Sequence, residues 1–160
     1  MMPATAPLAA ALLRVTMGVL FLAHAVWWKL VTKGMEHVVP WFVSQGYPAW
    51  FAWFVTLLEL AGGILLLLGW RTREVSLVMA ALMAGIVWQQ FPNGWLYTST
   101  HGGWEYPAFW TMALLAQAGL GAGAFALDGR GARLRTHWPS QKMTVAARVM
   151  ALKKVWAQRS

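Results

Sequence analysis

Cysteine is absent from this 160-residue chain. That excludes structural disulfides, thiolate metal sites, iron–sulfur ligation, cysteine nucleophiles and covalent haem attachment together. Any redox chemistry must therefore use a cofactor that is not covalently held. Charge is scarce as well: 11% of the residues are charged and 59% are apolar, where a soluble domain carries about 25% charge. The shortage points to lipid as the solvent. The net charge of +8 is confined to one end, because 129–160 holds eight basic and no acidic residues while the first 128 balance five of each sign. A basic tail beside apolar runs fits anionic lipid and excludes nucleic acid as the partner.

What is present in quantity is apolar sequence. Runs near the roughly 20 residues that cross a hydrocarbon core occur at Leu8–Leu30, Ala49–Gly69, Val75–Phe91 and Pro107–Leu127. Gly34, Pro40, Gly46 and Pro48 interrupt the first pair, Trp70-Arg71-Thr72-Arg73-Glu74 the second, and Pro92-Asn93-Gly94 through Gly103 the third. The predicted fold is all-α: an integral membrane four-helix bundle over 1–128, followed by a basic tail over 129–160. Ala23-His24-Ala25 resembles a signal-peptide cleavage site, but Arg14 interrupts the apolar run and apolar residues continue past it, so the first segment is expected to stay. Arg71, Arg73 and the tail place the N-terminus, the second loop and the C-terminus on the cytoplasmic side, with only Lys29 and Lys33 opposing. In the tail, Val145, Val149, Leu152 and Trp156 recur at helical spacing. They predict an amphipathic helix whose Arg148, Lys153, Lys154 and Arg159 meet anionic lipid.

Ionisable groups inside apolar runs need a reason. Glu59 shares a helical stripe with Ala52, Thr56 and Gly63, a small-residue face that turns it into the bundle. Counted at 1.5 Å per residue from the cytoplasmic side, Arg14 lies about 9 Å deep and Glu59 about 15 Å. That predicts an Arg14–Glu59 ion pair, with proton carriage by Glu59 as the alternative. His24 lies on the inward seam of the first run, either as a hydrogen-bonded structural histidine or as a proton-exchanging one. Gly119 and Gly123 stand at GxxxG spacing in the fourth run. Glu105 and Tyr106 lie at its outer mouth, where Glu105 also suits a helix N-terminus. Nine of the twelve tryptophans, Trp28 and Trp104 among them, fall near the outer face. They form either an interfacial belt with two bulky outer loops lying on the membrane or, together with Asn93, an aromatic and polar pocket for a flat apolar ligand.

Leu12-Leu13-Arg14 with Gly18, Phe21-Leu22-Ala23-His24, Glu59-Leu60-Ala61-Gly62-Gly63, Gly69 with Thr72-Arg73, Pro92-Asn93-Gly94 and Gly102-Gly103-Trp104-Glu105-Tyr106-Pro107 occur in that order. Over Leu8–Asp128 the chain resembles the DoxX family of bacterial membrane proteins. The resemblance implies a four-helix membrane fold and a redox-linked setting, with quinone as the associated small molecule and the redox cofactor on a partner subunit. Gln90, where relatives carry histidine, and Lys29, five and not four residues after His24, depart from the family pattern. His24, Glu105 and Glu59 are the candidate catalytic groups, with no metal expected. The alternatives are a non-catalytic scaffold of a larger membrane complex and a small proton-coupled transporter.

Overall fold

The computed structural model describes residues 5–128 and is helical, with no strand among the described residues. The predicted lipid-binding tail, including Arg148, Lys153, Lys154 and Arg159, lies outside the described residues. Helix α1 spans Ala6–Leu22 and runs without a break into a π-helical segment, Ala23–Lys33. Gly34, at φ 73°, turns the chain into a short helix, α2 (Met35–Ser44). Helices α3 (Ala49–Leu68), α4 (Thr72–Gln90) and α5 (Glu105–Leu120) follow. Among the described residues, three elements are long and apolar enough to span a membrane: Ala6–Lys33, Ala49–Leu68 and Thr72–Asn93.

Residue choice sets these ends. Gly69 terminates α3 in the left-handed conformation at φ 67°, which only glycine adopts without penalty. Arg71, at φ 47°, completes the tight turn into α4. The third run is longer than expected, because α4 continues into a 3-10 turn at Phe91–Asn93. The fourth is shorter: α5 stops at Leu120, and Gly121 (φ 79°), Gly123 (φ 71°) and Phe125 (φ 56°) rule out further helix. Its 16 residues measure about 24 Å, less than a ~30 Å hydrocarbon core. Residues 121–128 cross the end of the bundle as a strap instead. The Ala124 N–H reaches Pro7 O at 2.9 Å, and the Leu127 and Asp128 N–H groups reach Leu68 O and Gly69 O at 3.1 and 3.2 Å.

Helices α1, α3, α4 and α5 pack side by side. Met17, Phe21, Leu66, Met79, Met83, Trp110 and Leu114 form their buried apolar core. A smaller cluster of Val38, Phe42, Ala52 and Val55 fixes α2 against the start of α3. The first loop is thus a packed helix. A close backbone approach joins α1 to antiparallel α3. A Cβ on Gly18 would lie 2.9 Å from Gly63 O, and one on Gly63 would meet Gly18 O at 3.0 Å. Gly119, by contrast, faces open space, and Gly123 lies in the strap against α1. The GxxxG spacing in the fourth run therefore does not mark a helix-packing face.

Candidate functional site: a buried ion pair backed onto an open histidine

The Gly18–Gly63 contact fixes the register of α1 against α3, and that register decides where the two buried charges go. Arg14 falls opposite the C-terminal end of α3. Its Nε donates to Ala122 O at 2.9 Å, Nη1 to Leu66 O and Leu67 O at 2.7 and 2.8 Å, and Nη2 to Ala124 O and Phe125 O at 3.1 and 3.4 Å. These contacts occupy all five guanidinium N–H groups. The negative end of the α3 macrodipole compensates the charge. The Arg14–Glu59 ion pair expected from depth is therefore replaced. Glu59 lies seven residues, about 10 Å, before Leu66 in α3, and carbonyls satisfy Arg14 first.

Glu59 does point into the bundle, 1% exposed, beside buried Ala52, Thr56 and Gly63. Its partners come from the π-helical segment. Lys29 Nζ donates to Glu59 Oε2 at 2.8 Å, and both side chains are buried. The Nδ1 atom of His24 lies 3.3 Å from each Glu59 oxygen. The far side of that imidazole is open: the side chain is 48% exposed and stacks on Trp28, with ring centroids 5.0 Å apart and planes 11° from parallel. Phe42 of α2 covers Lys29, whose Nζ lies 5.8 Å from the ring centroid.

Lys29 was not among the predicted site residues, and helix geometry explains why. In an α-helix, a residue five positions on is rotated by roughly 140°, away from His24. A π-helix closes its hydrogen bonds at i+5. Its wider turn brings both Trp28 and Lys29 beside His24, one on the ring face and one on the shared carboxylate. The sequence carries one signal of this: a second cation in an apolar run, five residues after a histidine.

The other predicted pocket residues form a separate group in the α4–α5 loop. Asn93 Nδ2 donates to His101 O at 3.1 Å, and the Tyr97 N–H reaches Glu105 Oε2 at 3.4 Å. Trp104 packs edge-on against Trp95 at 4.4 Å and stacks with Phe91 at 5.5 Å. Glu105, in the first turn of α5, thus ties the loop to that helix. Tyr106 is half-exposed and touches Trp110, which packs on Phe21. Among the described residues no hydrogen bond or ring contact joins His24 and Trp28 to Asn93, Trp104, Glu105 or Tyr106. A groove of about 320 Å³ between α3 and α4, lined by Leu58, Leu65, Trp70 and Val78 among others, contains none of the predicted site residues.

A bundle of long apolar helices with an ion pair sealed inside it defines a multi-pass membrane protein. The chain belongs to the DoxX family, whose model matches residues 9–90. That stretch contains Arg14, His24, Lys29 and Glu59 and ends before Asn93, Trp104, Glu105 and Tyr106. A protein of Bacillus subtilis (strain 168) named "Putative oxidoreductase CatD" is 34% identical over 76 residues, 48% of this chain and 54% of that protein. The chain thus spans about half the length of this curated relative. No solved structure matches it.

Proposed function

We propose that this protein is an integral subunit of a membrane redox complex and meets a quinone at the bundle edge formed by His24 and Trp28. The observation that carries this reading is the half-exposed imidazole stacked on an indole and backed by a buried carboxylate and ammonium. Two flat rings at a lipid-accessible edge suit a flat apolar headgroup. A titratable ring held by a carboxylate suits the proton half of quinone chemistry. The printed name of the Bacillus subtilis relative supports an oxidoreductase setting. With no cysteine to hold an iron–sulfur cluster or a thiolate metal, the electrons in this reading pass through a flavin, haem or metal on a partner subunit.

In this reading α5 completes a four-span bundle in the bacterial inner membrane. Both termini are cytoplasmic, and the basic tail lies against anionic lipid. The α4–α5 loop group, with Glu105, organises the outer surface and docks the partner. A scaffold role draws on the Arg14 strap, which locks the bundle without leaving a free polar atom on that side chain. Transport by a proton-carrying Glu59 is less well supported, because Lys29 already neutralises the carboxylate.

The test is quinone binding and co-purification of redox subunits with the full-length protein in lipid nanodiscs. His24→Ala is expected to reduce binding of the quinone–quinol couple, read with whichever form wild type binds more tightly, at least about tenfold, the loss of one good polar contact, while Glu105→Gln leaves it unchanged. Undiminished binding in His24→Ala would remove this edge from the account.

A further inference from the structure

The arrangement around His24 fixes which side of the imidazole can donate and which can accept. Glu59, as a carboxylate, only accepts hydrogen bonds. It faces Nδ1 with both oxygens at 3.3 Å, so Nδ1 carries the hydrogen. Lys29, buried and 2.8 Å from Oε2, already balances the Glu59 charge. With the Glu59 charge already balanced by Lys29, nothing in the cluster calls for a second proton on the ring. In its neutral form, with the hydrogen on Nδ1, the imidazole presents a bare lone pair at Nε2. That atom has no hydrogen-bond partner among the described residues and lies across the ring from Glu59, on a side chain that is 48% exposed.

We propose that this site takes the reduced, hydroxyl-bearing form of its ligand, a hydroquinone, in preference to the oxidised quinone. The inference rests on reading His24 and Trp28 as the quinone-binding edge. A hydroquinone O–H donates to Nε2 while its ring lies beside Trp28. A quinone presents only carbonyl oxygens, which cannot pair with a bare acceptor, and a site built around one polar contact discriminates against the form that lacks the matching group. Lys29 acts here as a positioning residue. It touches no ligand, yet by neutralising Glu59 it sets His24 as an acceptor, and the π-helical turn brings it to the carboxylate. Without Lys29, the carboxylate is balanced by a proton on His24, both ring nitrogens become donors, and the preference reverses.

The experiment uses the full-length protein in nanodiscs under anaerobic conditions, titrated with decylubiquinol and decylubiquinone and read by tryptophan fluorescence quenching. Wild type is expected to bind the quinol at least about tenfold more tightly. Lys29→Arg keeps the preference, and Lys29→Met abolishes or inverts it. Should Lys29→Met fail to fold, the charge-balanced Lys29→Met/Glu59→Gln variant replaces it and is expected to bind the two forms equally. Equal or tighter binding of the quinone by wild type, or an unchanged ratio once Lys29 is removed, overturns this inference alone. Binding of neither form by wild type overturns the quinone reading together with it.

Discussion

The two ends of the α1–α3 contact show two ways of burying a charge. At one end Arg14 gives every N–H to a carbonyl of α3 or of the strap. At the other, Glu59 takes Lys29 and one edge of His24, and leaves the opposite edge of that ring unpartnered and exposed. A saturated polar cluster can only hold the fold, whereas one with an open atom can also meet a ligand. The difference teaches that burial of a charge does not itself mark a functional site; the remaining hydrogen-bonding capacity does. Sequence depth made these residues partners, and the structure makes them opposites.

The contrast breaks most severely at Arg14. Arg14→Leu removes one donor from each of five carbonyls, of which Leu66 O keeps the Gly69 N–H, and at about 1 to 3 kcal/mol for each left buried and unpaired, the folded bundle should be lost. Thermal unfolding in detergent checks this, and Arg14→Lys, with at most three donors, should recover only part of the stability. Next comes the charge pair: Glu59→Gln strands a buried ammonium and should cost about 3 to 5 kcal/mol, while Lys29→Met/Glu59→Gln should restore most of it, since a buried pair is often replaceable by neutral groups. A double-mutant cycle that shows no coupling would separate Lys29 from Glu59. Smaller still, Gly18→Ala should cost about 1 to 3 kcal/mol by overpacking, because its Cβ would press on Gly63 O and Leu67. Gly119→Ala, with open space around it, should instead stabilise α5 by about 0.5 to 1 kcal/mol. Equal penalties at the two glycines would restore the GxxxG reading.

Much of this architecture was legible in the sequence, because lipid imposes long apolar runs and Gly69 and Pro48 mark the ends of α3 plainly. The inward direction of Glu59 was legible too, from the small residues one helical turn to either side. The end of α5 was not. Ala122, Ala124, Phe125 and Leu127 are as apolar as a span, and only the positive φ angles of Gly121, Gly123 and Phe125 show that they form a strap. The Arg14 partners were hidden because depth counting ignores helix register, which a single glycine contact sets. Lys29 was hidden because a helical wheel assumes 3.6 residues per turn, and in Ala23–Lys33 only the five-residue step from His24 to Lys29 signals a wider one. The predicted pocket joined residues that share an outer position in sequence order but belong to different contacts in space.

The central claim is that His24 is neutral, gives its Nδ1 hydrogen to Glu59 and keeps Nε2 free. Nitrogen-15 magnetic resonance of histidine-labelled protein in nanodiscs, with His24 assigned by its loss in His24→Asn, reads both ring nitrogens directly. The account predicts a protonated Nδ1 and an unprotonated Nε2 in wild type, with the distinction lost in Glu59→Gln. A ring protonated on Nε2, alone or together with Nδ1, would contradict it.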